Sequence, residues 1–385
     1  MNFLYIGRLI LENQDSINDE YLVNGKKLEK KKYFQIDLLK TYVIFIVIFD
    51  HSIPYNIIIS LGGIAWERIV IPVLLIILAF NLGNSFKNDG KITLKEIYNK
   101  SYFKKKFKRY IIPYIIFYAI SIIIYLIMVF IFQNTYIHPY FDDKMFIVMG
   151  YTPFWGPGMW FIPIILSSIF IIPIFYHFFS KDPILTLFFC FFIEFFFHLI
   201  IHLIYGIIGF NNTINFFYCN LLLYSFSIGV GLWLTRNHKL NAKENRFILI
   251  LLPISILYFI EYTIFGFSKY FIIGDYNFLT VPFSAFIFML TMKYIPKNPQ
   301  NKLAKLISRI GKSTYHIFLF QILYFSIIYH VIPDIAFNGF GSFLGIYPIY
   351  YAFNLFINML GGLLWYELDV KITNIRKIAN ISLKK

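Results

Sequence analysis

An acidic, a basic and an imidazole side chain lie within one apolar stretch of membrane-spanning length, between Tyr33 and His51. Asp37 and Lys40 are three residues apart, and Lys40 and His51 are eleven residues apart. At about 100° per residue, eleven residues of α-helix return to within about 20° of the starting direction, so these side chains share one stripe. Because charge is costly in hydrocarbon, we expect the stripe to face a protein interior or a watery cavity and to serve a function.

His51 is a candidate catalytic base, because a neutral imidazole accepts a proton from a hydroxyl nucleophile near neutral pH. The structural alternative is a histidine that is hydrogen-bonded between helices. Asp50 precedes His51 and is predicted to point about 100° away from it. We therefore expect Asp50 to pair with Glu67 or Arg68 of a neighbouring helix rather than to join His51 in a catalytic triad.

Lys40 lies about 16 Å from His51 along the helix axis, at about 1.5 Å per residue, so the two side chains do not touch. We expect Lys40 to meet a phosphate or a thioester carbonyl near the cytoplasmic face and His51 to meet an acceptor further out. Snorkelling of Lys40 to the headgroups is the structural alternative. Asp37 is placed to pair with Lys40; it is a second candidate catalytic residue, although that pairing alone accounts for it equally well.

A second group of cations precedes the third predicted membrane span, in the segment SYFKKKFKRYIIP that ends at Pro113. The segment combines basic and aromatic residues where a cytoplasmic phosphate can dock. Lys106 and Arg109 are therefore candidate ligands of a nucleotide-like cofactor. Contact with anionic lipid is an equally good interpretation.

Glu194, His198 and His202 follow one another at four-residue spacing in another apolar segment. Histidine and glutamate at this spacing can share the ligand sphere of a metal ion. The face of a helix drifts by about 40° at each four-residue step, so three ligands from one helix do not converge. We therefore favour a polar seam between helices and predict no metal site.

Composition indicates a membrane protein. Of the 385 residues, 58% are hydrophobic and only 14% are charged, and the mean hydropathy is +0.66, which is far from the composition of a soluble domain. The net charge of +15 does not indicate a nucleic-acid partner, because the basic residues are divided among hydrophobic spans instead of lying on one soluble face. We predict contacts with membrane lipids and none with nucleic acid.

Segments of about 17 or more mostly apolar residues predict ten transmembrane helices in an all-α, polytopic fold. They lie near residues 36–58, 64–84, 110–132, 159–179, 183–205, 214–235, 246–266, 276–294, 313–332 and 343–366. In this topology most lysine and arginine residues lie on the same side of the membrane as the N-terminus, including nine between Lys87 and Arg109. Arg68, Lys144 and Lys269 lie on the opposite side. Because basic residues stay cytoplasmic in short loops, both termini are predicted to be cytoplasmic. The predicted units are a tail over 1–35, one membrane domain over 36–366 and a basic tail over 367–385.

Four ordered features resemble the acyltransferase type 3 family of integral membrane acyltransferases, and in particular its branch similar to fucose 4-O-acetylases and polysaccharide O-acyltransferases. The Asp37, Lys40 and His51 pattern resembles the first-helix signature of the family, in which many members have Arg at the Lys40 position. The other three features are the basic run that ends KRYIIP, the Met159–Phe161 segment that opens the fourth predicted helix, and the late segment IGKSTYHIFLFQ. In that segment Gln321 and Phe318 stand where His and Tyr are common, so no catalytic role is carried onto them.

The resemblance implies transfer of an acyl group, usually acetyl, from cytoplasmic acyl-CoA as co-substrate to a hydroxyl of a cell-surface glycan or lipid-linked sugar. His51 would correspond to the catalytic histidine, Asp37 would be a second catalytic residue in the same motif, and Lys40, Lys106 and Arg109 would hold the phosphates of the coenzyme. The abundance of Ile, Lys, Asn, Phe and Tyr is what an AT-rich genome would give. On this basis we favour a prokaryotic plasma membrane. Two alternatives stay open: a transporter or flippase for polysaccharide intermediates, and a structural partner in a surface-polymer assembly.

Overall fold

The computed structural model describes residues 33–130, 156–208, 219–264, 276–331 and 347–382. In these residues every regular element is a helix, and none is a β-strand. The first seven α-helices are α1 Phe34–Ser52, α2 Tyr55–Ser60, α3 Gly63–Glu67, α4 Val70–Asn88, α5 Leu94–Ile97, α6 Lys100–Lys106 and α7 Ile112–Phe130. The other seven are α8 Phe161–Lys181, α9 Pro183–Ile208, α10 Ser225–Trp233, α11 Arg246–Ile264, α12 Val281–Tyr294, α13 Lys302–Val331 and α14 Tyr347–Ser382.

A helix overlaps each of the ten predicted spans, and five helical segments are long and apolar enough to cross a membrane. These five are Gly63–Asn88, Lys100–Ile127, Phe161–Lys181, Pro183–Ile204 and Lys243–Thr263. The protein is therefore all-helical and membrane-embedded in its described part, while ten spans and cytoplasmic termini remain predictions. Most of the predicted N-terminal tail, residues 1–32, lies outside the described residues, and α14 continues beyond the predicted boundary at 366 to Ser382.

The first predicted span, 36–58, contains a break that the hydropathy pattern does not mark. Helix α1 ends at Ser52, Ile53 is extended with φ −127° and ψ 137°, and Pro54 precedes α2. Proline disfavours the helical conformation of the residue before it and has no N–H to donate to a helix. The break therefore places His51 in the last turn of α1.

Helices α1, α13 and α14 pack against one another and form the polar centre of the molecule. Glycine allows the close approach, because a Cβ on Gly362 of α14 would lie 2.4 Å from Cα of Ile317 in α13. Small residues at such contacts let helix backbones approach closely in membranes. Buried polar side chains such as Gln321, Asn354 and Asn358 lie on these helices, so they contact protein instead of lipid.

The most apolar helices lie around this centre with their side chains outward. Only 22% of the most apolar stretch in Lys100–Ile127 is buried, and the corresponding shares are 28% in Pro183–Ile204 and 22% in Lys243–Thr263. Exposed apolar surface of this extent is what lipid tails cover in a membrane protein. The division between polar centre and apolar periphery agrees with the expectation that the charged stripe of α1 faces protein.

Candidate active site

Helix α1 carries three of the predicted site residues and fixes their separation. Asp37 lies in its first turn, Lys40 one turn further on and His51 in its last turn. Because α1 is continuous, Lys40 and His51 are about 16 Å apart along the axis. The structure therefore has two polar ends, the Lys40 end and the His51 end, which are joined by one helix.

Asp37 is held against α13 at the Lys40 end. Its Oδ2 accepts a hydrogen bond of 2.7 Å from the Ser308 hydroxyl. The Thr41 hydroxyl also bridges the helices, since it contacts the carbonyl oxygens of Asp37 at 2.9 Å and Ile307 at 3.1 Å. The sequence predicts Lys40 as the partner of Asp37; the structure gives the carboxylate Ser308 as its hydrogen-bond partner and Lys40 as an electrostatic neighbour.

Lys40 and Arg109 are near enough to interact electrostatically, although 69 positions separate them in the chain. Lys40 is half-buried and Arg109 is exposed. The positive charges of Lys40 and Arg109 repel each other. The carboxylate of Asp37 acts on Lys40 in the opposite sense and attracts it. An anionic group bound near Lys40 and Arg109 would relieve the repulsion between these two cations.

A π-helical turn, Phe107–Ile111, carries Arg109 between α6 and α7. The Tyr315 hydroxyl of α13 donates a 3.1 Å hydrogen bond to the Tyr110 carbonyl, which ties this turn to the centre of the molecule. Lys106 Nζ lies 5.4 Å from the ring centroid of Tyr102 and 5.5 Å from that of Tyr110, and the Arg109 guanidinium lies 5.4 Å from the Tyr110 centroid. Short π-helical turns are frequent at functional sites.

His316 and Asp369 add a second imidazole and carboxylate near the Lys40 end. His316 Nε2 lies 3.4 Å from Asp369 Oδ2, and His316 also interacts electrostatically with Arg109. The sequence analysis assigns no role to His316, which lies in the late segment IGKSTYHIFLFQ, and does not identify Asp369. No spacing rule relates the two, because they lie on α13 and α14 and meet only when these helices pack.

At the His51 end, the imidazole lies beside the carboxylate of the preceding residue. His51 Nδ1 is 3.6 Å from Asp50 Oδ2, and the His51 ring packs edge-on to Phe325 with centroids 5.9 Å apart. The prediction that Asp50 points away from His51 is therefore wrong. Adjacent Cβ atoms of a helix diverge, but side-chain rotation brings the carboxylate back toward the imidazole.

The predicted partners of Asp50 form a buried ion pair next to it. Arg68 Nε lies 3.3 Å from Glu67 Oε2, and Asp50 interacts electrostatically with Arg68. The Tyr276 hydroxyl donates a hydrogen bond to Glu67. Trp160 stacks on the Tyr276 ring at 5.7 Å and 21°, so an aromatic pair covers this ion pair.

The backbone around His51 is fixed by a chain of hydrogen bonds through the central helices. Asn354 of α14 donates to the Ser52 hydroxyl at 3.1 Å and accepts from the Tyr324 hydroxyl of α13 at 2.6 Å. Gln321 donates to the Pro157 carbonyl at 3.2 Å and so holds the segment before Trp160 against α13. The last turn of α1 is thus attached to both α13 and α14.

The polar residues of α9 lie apart from both ends. Glu194 accepts a 2.8 Å hydrogen bond from the Phe226 amide of α10, and the neighbouring Ser225 hydroxyl donates to the Cys190 carbonyl at 2.7 Å. Glu194 thus takes part in a contact between helices. Within the described ranges, no group of three or more His, Cys, Asp or Glu side chains could hold a metal ion.

The comparisons with known proteins give one result. A family model described as an acyltransferase domain matches residues 33–363. This range contains Asp37, Lys40, His51, Arg109 and the π-helical turn, whereas Asp369 lies just beyond it. No curated protein and no solved structure matches the chain.

Proposed function

This chain belongs to the acyltransferase family whose domain matches residues 33–363, and from that premise we propose that it moves an acyl group from cytoplasmic acyl-CoA to a hydroxyl of a cell-surface glycan or lipid-linked sugar. The protein is a membrane acyltransferase. The proposal includes four finer points: the acetyl group, the coenzyme A donor, the sugar acceptor and the prokaryotic plasma membrane.

The observation that carries the proposal is the electrostatic proximity of Lys40 and Arg109 at one end of α1, with His51 about 16 Å away at the other end. Coenzyme A is an extended molecule with its phosphates at one end and its thioester at the other. A molecule of that shape would place its phosphates at Lys40 and Arg109 and its thioester toward His51. Lys106, the third candidate phosphate ligand, lies on the same segment as Arg109.

In the proposed reaction, His51 accepts the proton of the acceptor hydroxyl while the oxygen attacks the thioester carbonyl. The new C–O bond forms the ester, the C–S bond breaks, and the leaving thiolate takes a proton from the His51 imidazolium. Asp37 acts at the other end, where its carboxylate sets the position of the first turn of α1 and balances part of the positive charge of Lys40. No metal ion has a role in this scheme.

The test is an acyl-transfer assay with purified protein in vesicles, labelled acetyl-CoA and a glycan acceptor. The His51→Gln substitution is expected to lower kcat by about 10²- to 10⁴-fold, the usual contribution of a general base, with little change in the KM for acetyl-CoA. His177→Gln is a matched control, since His177 contacts the Ile92 carbonyl at 2.8 Å and glutamine can donate to the same oxygen.

Undiminished transfer by the His51→Gln protein would show that the assigned role of His51 is wrong. If the wild-type protein transfers no acyl group but moves glycan across the vesicle membrane, the transporter hypothesis replaces the enzyme. The same assay with succinyl-CoA identifies the acyl group, because the wild-type rates with the two donors are compared directly.

A further inference from the structure

The His51 end contains charged residues that the proposed reaction does not use. Glu67 and Arg68 are 5% and 2% exposed, respectively, and Asp50 lies next to them on α1. We refer to Asp50, Glu67, Arg68 and Tyr276 as the Arg68 cluster. Burying two ionisable groups in the membrane beside a third that is partly exposed is costly, so residues of this kind are candidates for function.

Arg68 and Glu67 balance each other inside the cluster. Their side chains lie 3.3 Å apart, and the Tyr276 hydroxyl supplies a further hydrogen bond to Glu67. The Arg68 guanidinium also lies 5.2 Å from the Tyr262 ring centroid, and its Nη2 is 3.4 Å from the Tyr262 hydroxyl. These contacts on several sides fix the guanidinium in one place.

Asp50 is the carboxylate next to His51. Its Oδ2 is 3.6 Å from His51 Nδ1, and it interacts electrostatically with Arg68. An ionised Asp50 carboxylate stabilises the imidazolium that forms when His51 takes a proton, because the two opposite charges attract each other. The 3.6 Å separation is longer than a hydrogen bond, and such contacts commonly tighten only when substrate binds.

We propose that Asp50 is a positioning residue for His51: its carboxylate faces Nδ1 and keeps the proton of the neutral imidazole on that nitrogen, so that the unprotonated Nε2 is the atom that accepts the proton of the acceptor. Arg68, paired with Glu67, attracts the Asp50 carboxylate. The inference rests on the proposed function of His51 as a base. It adds a residue pair, Asp50 with Arg68, to the residues that the sequence alone predicts for the reaction.

Other titratable groups around the cluster come from α11 and α1. Tyr258 and Tyr262 interact with Arg68, Glu261 interacts with Tyr258, and Tyr42 of α1 interacts with Glu67. None of these contacts places a second carboxylate at His51 Nδ1, where the structure gives Asp50 as the acidic neighbour. Asp50 is therefore the residue to change first.

The kinetic test compares wild type, Asp50→Asn, His51→Gln and the double variant. Asp50→Asn is expected to lower kcat at least about tenfold with KM for both substrates unchanged, as expected when an orienting carboxylate is replaced by an amide. In the His51→Gln background the same substitution should cost nothing further, because Asp50 acts through His51. An equal loss in both backgrounds, or a change confined to KM, would contradict the proposal.

Two further variants, Asp50→Glu and Asp89→Asn, distinguish a positioning role of Asp50 from nonspecific damage to the protein. Asp50→Glu keeps the carboxylate and should recover part of the lost kcat. Asp89 forms a 2.9 Å ion pair with Lys91 at an exposed turn, so Asp89→Asn should leave the rate unchanged. Arg68→Lys keeps the positive charge but not the planar fork of donors, and is expected to lower kcat less than Asp50→Asn.

A spectroscopic measurement tests the inference independently of turnover. ¹⁵N-histidine NMR, with the His51 signal assigned by its loss in His51→Gln, reports which ring nitrogen carries the proton. We expect the Nδ1-protonated tautomer in wild type and a mixed population in Asp50→Asn, because the amide can turn either a donor or an acceptor toward Nδ1. An unchanged tautomer would overturn the positioning role. A protein that shows the tautomer change but transfers no acyl group would instead contradict the proposed function.

Discussion

Gly311 of α13 lies against the backbone of Asp37 in α1, and a Cβ added to Gly311 would be 2.4 Å from the Asp37 carbonyl oxygen. Real Cβ atoms do not approach a backbone oxygen so closely. The glycine therefore permits the α1–α13 contact at the level of the Lys40 end. The Ser308 hydroxyl reaches the Asp37 carboxylate at the same place.

Gly311→Ala is expected to lower stability by about 1–3 kcal/mol or more, because the added methyl group forces the two helix backbones apart. The measurement is thermal unfolding of the purified protein in detergent. The same variant should have a higher KM for acyl-CoA, since Asp37 and Lys40 move with α1. The matched control is Gly206→Ala in α9, where an added Cβ would meet no atom within 4 Å and alanine has the better helix propensity. Equal effects of the two substitutions would contradict the close-approach argument.

Lys40→Met and Arg109→Gln are expected to raise the KM for acyl-CoA by about 10- to 100-fold, the equivalent of losing one charge-assisted hydrogen bond to phosphate. The effect on kcat should be smaller, because the phosphates are remote from the reacting carbonyl. Steady-state kinetics at varied acyl-CoA concentration gives both constants. Arg246→Gln changes an exposed arginine at the start of α11 and should leave KM unaltered. If the substitutions lower kcat and leave KM unchanged, Lys40 and Arg109 act near the reacting carbonyl and not at the phosphates.

Lys106→Met is expected to raise the KM for acyl-CoA less than Lys40→Met does. The Lys106 ammonium is already stabilised by the Tyr102 and Tyr110 rings, and cation–π contacts of this kind contribute about 0.5–2 kcal/mol. The substitution should therefore lower the unfolding temperature, while the KM for acyl-CoA changes only slightly. Thermal unfolding and KM are measured on the same preparation. A KM effect as large as that of Lys40→Met, at unchanged stability, would show that Lys106 is a principal phosphate ligand.

We expect His238 to make the protein less stable at acidic pH. Burial, with repulsion by Lys297, Lys239 and Lys87, lowers the pKa of His238 from its ordinary value of 6.5 to about 4. Between these two values the unfolded chain binds a proton that the folded protein excludes, so the free energy of unfolding falls as pH falls from about 6.5 to about 4. The total loss is about 3 kcal/mol, at about 1.4 kcal/mol per pH unit.

The measurement for His238 is denaturant unfolding of wild type and His238→Gln across this pH range. Glutamine does not titrate, so the variant should lose less stability than wild type on acidification. At pH 8 the histidine is neutral in both the folded and the unfolded chain, and the difference between the two proteins there measures packing alone. The same slope for both proteins would show that other groups cause the acid sensitivity.

The sequence by itself determined the helical, membrane-embedded character of the protein and the placement of Asp37, Lys40 and His51 on one helix. These follow from short-range rules, because hydropathy and the 3.6-residue turn depend only on neighbours in the chain. The end of α1 at Ser52 was also encoded locally, in Pro54, but averaging hydropathy over a window obscures a single proline.

Only the tertiary structure decided which groups meet at the two ends of α1. Lys40 with Arg109, His316 with Asp369, and Asp37 with Ser308 each join residues from different helices. Such pairs depend on how helices pack and rotate against one another, and no spacing along the chain encodes that. Asp50 makes the same point at the shortest range: the helix geometry directs its Cβ away from His51, and the rotamer set by its surroundings returns the carboxylate to the imidazole.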